Sequence, residues 1–171
     1  MWLTSFTLLA MASLVNTFTI PNSLKDHFTM TLESDNTILL TAIESFPNTT
    51  TTPSRSQQDP PLPIDWHLCT GQAIDYFDWE AARDSLGAFC DDGNMIPDHG
   101  KIVVNVNGVL AYACSAGGLN PCSRAEIVWF GHWLDDECGL GLAGMADMSS
   151  WAKRYGRGWN GDVVCRGVRG G

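Results

Sequence analysis

Four histidines, His27, His67, His99 and His132, are the side chains best suited to acid–base work near neutral pH. To act, each needs a carboxylate or a nucleophile within hydrogen-bond reach. His67 stands two residues from Cys69, which offers a Cys–His nucleophile pair. An even cysteine count behind an apolar leader argues instead for structural disulfides. Asp75, Asp78, Glu80, Asp91, Asp92, Asp135, Asp136 and Glu137 supply carboxylates for a glycosidase-type pair. Most fall in first turns or at the ends of helical segments, where capping and a solvated face account for them. His132, Asp135 and Asp136 share one helix face at i, i+3 and i+4, a spacing open to a metal and better explained as an exposed polar face. No Cys-x-x-Cys or His-Glu-x-x-His occurs, and Gly117-Gly118 lacks the Lys-Ser/Thr of a phosphate loop. The expectation is no metal, no cofactor and no assigned catalytic residue.

The elements that must position these groups are unevenly distributed. Residues 1–18 are uncharged and mostly apolar, as in a signal peptide, and residues 19–46 form a segment or pro-region. Within it Phe28, Met30 and Leu32 alternate, Ser34-Asp35-Asn36 offers a turn, and Thr37 to Ile43 is β-rich. Such a hairpin must pack on something or stay loose. Residues 47–63 are a Pro/Thr/Ser-rich linker carrying the glycosylation sequon at Asn48. All six cysteines, Cys69, Cys90, Cys114, Cys122, Cys138 and Cys165, fall in residues 64–171, which marks that span as a cysteine-rich domain.

In that domain residues 64–69 read as a strand, and Trp79, Ala82, Leu86 and Phe89 recur at helical spacing over 76–89. Asn107-Gly108 between two β-rich runs predicts a hairpin. Ser123 and Glu126 form a capping box before a helix that carries Ile127, Phe130, Leu134 and Cys138 on one face, with Trp129 and Trp133 alongside. Residues 144–148 read as a strand, Ser149-Ser150 as the cap of a short helix through Tyr155, and 156–161 as a loop. The order strand, helix, two strands, helix, strand is that of a split βαβ, ferredoxin-like unit. The fold class expected is α+β: a small disulfide-bonded α/β sandwich behind a Cys-free N-terminal segment and linker.

Helix length limits the disulfides. A helix over 123–137 would hold Cys122 and Cys138 about 24 Å apart, whereas a bridge needs Cα atoms within about 7 Å. Cys69 and Cys90 flank the other helix and are disfavoured for the same reason. The split βαβ topology puts Cys69 and Cys138 at one end of the sheet, which leaves Cys165 to one of Cys90, Cys114 and Cys122.

The net charge of −9 disfavours nucleic acid as a partner. No apolar run approaches the roughly 20 residues of a membrane helix. The charge is nevertheless asymmetric: residues 64–98 are strongly acidic, while the C-terminal end holds Lys153, Arg154, Arg157, Arg166 and Arg169 against Asp162. Lys153, Arg154, Tyr155, Arg157 and Trp159 form a candidate partner surface for a polyanion. The competing reading is internal neutralisation of the acidic first helix.

Residues 109–114, Asn120-Pro121-Cys122-Ser123-Arg124-Ala125-Glu126, Asp136-Glu137-Cys138-Gly139 with Ala143-Gly144, and Tyr155-Gly156-Arg157 ahead of Cys165 resemble the small secreted cysteine-rich proteins of filamentous fungi. The neighbouring groups are necrosis-inducing-factor-like and killer-toxin-like effector candidates. The resemblance covers roughly residues 64–167 and implies secretion and action on host tissue or competing microbes. The first reading is therefore a non-enzymatic effector or toxin-like protein acting on host or competitor cells, with a host protein, glycan or membrane as partner. The resemblance carries over no catalytic residue. The alternatives are a small secreted hydrolase, acting on RNA or glycans, and a carbohydrate-binding module. A histidine among His67, His99 and His132 meeting carboxylates in a cleft would favour the hydrolase. Trp129, Trp133 and Trp159 on one flat face would favour sugar binding.

Overall fold

The computed structural model describes residues 28–33, 37–42 and 61–168. The expected signal peptide, most of the expected linker and the sequon at Asn48 lie outside the described residues. The chain forms β1 (Phe28–Leu32), β2 (Thr37–Ala42), β3 (Trp66–Ala73), α1 (Tyr76–Asp91), β4 (Met95–Ile96), β5 (Lys101–Val106), β6 (Val109–Ser115), β7 (Asn120–Pro121), α2 (Arg124–Cys138), β8 (Leu142–Met148) and β9 (Lys153–Trp159).

Local chemistry explains most of these elements. The Asp75 carboxylate accepts the N–H groups of Phe77 and Asp78 and so starts α1. Ser123 Oγ accepts the Glu126 N–H at the start of α2. Trp79, Ala82, Leu86 and Phe89 of α1 and Ile127, Phe130 and Leu134 of α2 turn to one shared core. Asn107 and Gly108 both have positive φ, 50° and 88°, as a tight β5–β6 turn requires.

One sheet holds seven strands in the order β1-β2-β5-β6-β9-β8-β3, and β4 pairs with β7 apart from it. All neighbours in the large sheet run antiparallel except β2 and β5. Both helices pack on one face, giving a two-layer α+β arrangement. On the other face Val103, Leu110, Tyr112 and Cys114 are covered by Val164, Cys165 and Val168 of the C-terminal tail.

Two expectations are corrected by this topology. The split βαβ order is not formed: β3 and β5, which α1 connects, are separated by β8, β9 and β6, where such a unit leaves room for a single strand. The two additional strands are β8 and β9, and the residues of β9 read in the sequence as a short helix and a loop. Only Ser149–Trp151 is helical, as one 3-10 turn. The sheet also does not begin near residue 64, because β2 pairs with β5 from Thr37 against Lys101 onward. Phe28, Ile38 and Leu40 of the N-terminal hairpin are buried in the main core, which is the packing that a two-stranded hairpin needs.

The disulfides join Cys69 to Cys138, Cys90 to Cys122 and Cys114 to Cys165. The Cys69 pairing that followed from the ends of the sheet is present, and neither helix is bridged across its own length. The first bridge ties edge strand β3 to the end of α2. The second joins the end of α1 to the start of α2, and the third fixes the tail across β6.

Gly156 makes the middle of β9 possible. A Cβ there would stand 2.1 Å from the Tyr112 ring on neighbouring β6. A methyl group must therefore displace a buried aromatic ring. Gly156→Ala should cost about 1–3 kcal/mol, read as a lower urea midpoint. An unchanged midpoint would show that the ring does not close on this strand.

Candidate functional site

The sequence's candidate partner surface lies inside the protein. Lys153, Arg154, Tyr155 and Arg157 are all at most 3 % exposed. Alternation along β9 sends Lys153, Tyr155, Arg157 and Trp159 toward the helices and Arg154 to the opposite face. On the helix side Lys153 Nζ and the Tyr155 hydroxyl both donate to Glu126 Oε2, at 2.8 Å and 2.6 Å. Arg157 Nη1 donates to Asp135 Oδ1 at 2.6 Å, its other nitrogens reach the carbonyls of Leu142 and Gly139, and its guanidinium lies over the Trp79 ring. Tyr76 completes that group by donating to Asp135 Oδ2 at 3.2 Å. On the other face Arg154 pairs with the buried Asp147 carboxylate and donates to the Arg166 carbonyl of the tail. Trp159 is half-buried, and its Nε1 donates to the Ala73 carbonyl.

Lys153, Arg154, Tyr155 and Arg157 therefore offer no surface to a polyanion. Their charge is neutralised internally, but by Glu126 and Asp135 of α2 and Asp147 of β8 rather than by the acidic first helix. Buried charges persist when paired and hydrogen-bonded, and each of these cations has a carboxylate partner. The same pairing accounts for Asp135, which therefore joins no metal set with His132. Among the described residues no cluster of three His, Cys, Asp or Glu side chains could hold a metal ion. No helix among them is long and apolar enough to cross a membrane.

The accessible polar site is elsewhere, under the tail. A cleft of about 380 Å³ is lined by His99, Gly100, Lys101, Ser115 and residues 164–168. Three separate stretches of chain build it. The residues around His99 lead into β5, Ser115 ends β6, and the Cys114–Cys165 bridge brings the tail over both. Two non-glycine residues of its wall, His99 and Cys165, have positive φ of 49° and 65°, a backbone state that the surroundings must impose. The imposing contact at His99 is visible: its Nδ1 lies 2.6 Å from Asp98 Oδ1, and that oxygen also accepts the Gly118 N–H at 2.6 Å. The bond to His99, then the Gly118 amide, holds the Asp98 carboxyl below the usual carboxylate range. With Nδ1 engaged, the ring's other nitrogen, Nε2, lies on the side of Gly117. Ser115 Oγ is occupied by the loop itself, meeting the Gly117 and Gly118 carbonyls.

His99 thus meets a carboxylate in a cleft. His67 instead packs edge-on against Trp133, and His132 is exposed on α2. Trp129 and Trp133 lie nearly parallel, 11° apart, beside His67. Trp159 does not join them: its partner Ala73 is six residues from His67 along β3, roughly 20 Å. The flat face of three tryptophans is not formed. No single segment of the sequence contains the cleft: the β5–β6 pairing brings residues 99–101 to Ser115, and the Cys114–Cys165 bridge with the Arg154–Arg166 bond brings residues 164–168 over them. No family model matches the chain, and neither the curated proteins nor the solved structures contain a significant match.

Two outcomes test the internal pairing. Asp135→Asn keeps the shape but leaves Arg157 uncompensated, and should cost about 3 kcal/mol in chemical denaturation. Arg166→Gln, at an exposed side chain, should change stability by no more than about 0.5 kcal/mol. Separately, burial raises the hydroxyls of all three tyrosines, Tyr76, Tyr112 and Tyr155, with Asp135 adding to Tyr76 and Glu126 to Tyr155. A raised folded-state value means that stability is intact below the ordinary tyrosine range near 10 and falls as pH rises above it. Tyrosinate absorbance from Tyr112 and Tyr155 should therefore appear only with the loss of circular dichroism. Reversible ionisation of all three near pH 10, with the fold intact, would contradict their burial.

Proposed function

We propose that this is an extracellular, non-enzymatic effector or toxin-like protein that acts on host or competitor cells by docking a target on a rigid surface. The observation that carries the reading is the cross-linking. All six cysteines are paired, and each bridge joins elements distant in sequence. Such a framework suits an oxidising compartment, where it can contribute about 2–4 kcal/mol per bridge. The resemblance to small secreted cysteine-rich proteins of fungi points the same way, and to necrosis-inducing-factor-like or killer-toxin-like activity within that class. Lys153, Tyr155 and Arg157 are spent on holding helix to sheet, and Arg154 and Asp147 on joining neighbouring strands, which also favours a scaffold over a catalyst. Among the described residues, the cleft under the tail is a concavity open to a partner.

A second reading, a small secreted hydrolase, draws support from one contact, the Asp98–His99 pair at the cleft. Such a pair orients an imidazole as a general base. With Ser115 Oγ engaged by backbone carbonyls and all the cysteines oxidised, it would have to activate water or a substrate hydroxyl. Binding remains the better account.

The test uses the oxidised full chain, infiltrated into plant tissue and applied to competing fungal cells beside the reduced form, with RNA and glycan turnover assayed in parallel. A cell response confined to the oxidised protein, without turnover, is expected. Turnover that disappears in His99→Asn, with no cell response, would replace this reading by the hydrolase.

A further inference from the structure

The flank of α2 beside edge strand β3 carries aromatic surface that the core uses only in part. Trp129 and Trp133 stand one helical turn apart, and each is half-buried against the core. Their rings are nearly parallel, with centroids 6.5 Å apart and planes 11° apart. From β3 the exposed His67 meets Trp133 edge-on, with centroids 5.3 Å apart. His132 and Asp136, three residues beyond Trp129 and Trp133, continue the patch and are exposed. The polar atoms of this patch are unused. Among the described residues, Trp79 Nε1 is the buried side-chain nitrogen or oxygen without a partner. The Nε1 atoms of Trp129 and Trp133 make no hydrogen bond either, so both must reach solvent. Trp159 differs, since its Nε1 donates to the Ala73 carbonyl. The side chains of His67, His132 and Asp136 likewise make no hydrogen bond or ion pair among the described residues.

We infer that this patch binds a neutral glycan, with sugar rings laid on the Trp129 and Trp133 indoles. The inference rests on the docking reading above and names the chemistry of its partner. A sugar ring offers an apolar face of C–H groups and a rim of hydroxyls. An indole takes the face, and its N–H donates to a hydroxyl or acetamide oxygen. The Asp136 carboxylate accepts from hydroxyls, and the two imidazoles can donate or accept. Charge sets the class. The chain carries −9, Asp136 and Glu137 are exposed, and Arg124, the one cation of α2, is paired with Asp91. A polyanion is therefore repelled here. A wholly apolar partner fits poorly too. None of the exposed large hydrophobic side chains of the described residues lies on α2, and Leu68 of β3 alternates to the face opposite His67.

The experiment titrates the ¹⁵N-labelled, oxidised full chain with chitohexaose and with cellohexaose, and reads the indole N–H resonances. A neutral hexaose should saturably shift the resonances of Trp129 and Trp133 and leave those of Trp79 and Trp159 in place. Heparin, a polyanion, should not. Binding of chitohexaose alone identifies the acetamide as the group recognised, whereas binding of both identifies the ring face and hydroxyls. Asp136→Ala, at an exposed position, should weaken the binding about tenfold. Trp133→Ala, which removes a ring face, should abolish it. Near-ultraviolet circular dichroism checks the fold, and Asp136→Ala keeps the test open if Trp133→Ala does not fold. The inference is overturned if neither hexaose produces a saturable shift, if heparin moves the same two indoles, or if Asp136→Ala binds as the parent does. Shifts of both indoles by phosphatidylcholine vesicles and by neither hexaose would assign the patch to a lipid surface and equally overturn it. A cell response that persists without glycan binding would remove the glycan site and leave the docking function standing.

Discussion

A charged strand in the interior is the constraint on which the rest of this fold depends. β9 lies between β6 and β8, and it carries Lys153, Arg154 and Arg157 into positions nearly closed to water. A cation in such a place is tolerable only with a carboxylate beside it and its remaining donors satisfied. Glu126 and Asp135, nine residues apart on α2, meet Lys153 and Arg157, which sets how α2 lies across the sheet. Asp147, on the adjoining strand, meets Arg154 on the opposite face. Pairing therefore fixes strand order, helix placement and tail position together.

Disulfides and charge pairs divide the work. The buried pairs act at the centre, between β9 and what lies above and below it, whereas the bridges act at the periphery. Cys69–Cys138 closes the edge strand onto a helix end, Cys90–Cys122 closes the helix pair, and Cys114–Cys165 draws the tail over the second face. The tail meets both systems, since Arg166 accepts from Arg154 one residue beyond the bridged Cys165. A cleft assembled from three distant stretches inherits its rigidity from that double attachment.

The elements legible in the sequence are those whose cause is local. Asn107-Gly108 announces a turn by its own backbone preference, and Asp75 and Ser123 announce helix starts by bonds to amides two or three residues on. The bridge from Cys69 to Cys138 is present although the split βαβ order from which it follows is not formed; helix length alone speaks only against Cys122–Cys138 and Cys69–Cys90. β9 was not legible. Lys-Arg-Tyr-Gly-Arg-Gly-Trp lacks the apolar alternation of a buried strand, and its neutralising carboxylates on α2 lie 22 and 27 residues away. Its glycines read as loop formers, yet they are sites of close approach: Gly156 to the Tyr112 ring and Gly158 to the Asp162 carboxylate. Read as a helix and a loop, that strand presents its cations as surface, and the sheet lacks both β9 and the reason for β8 to lie between β9 and edge strand β3. The cleft was hidden for the related reason that no single segment contains it.

Moving the basic residues of β9 from surface to interior also removes the C-terminal basic stripe as the place where a partner is to be sought. Native-state amine labelling decides between the two placements most directly. If Lys153 is sealed against Glu126 and Tyr155, it stays unmodified in the folded, oxidised protein and reacts fully once the chain is unfolded and reduced. Modification of Lys153 in the native protein at the rate of a free amine, with the fold intact, would contradict the charged interior strand and return Lys153, Arg154 and Arg157 to the surface.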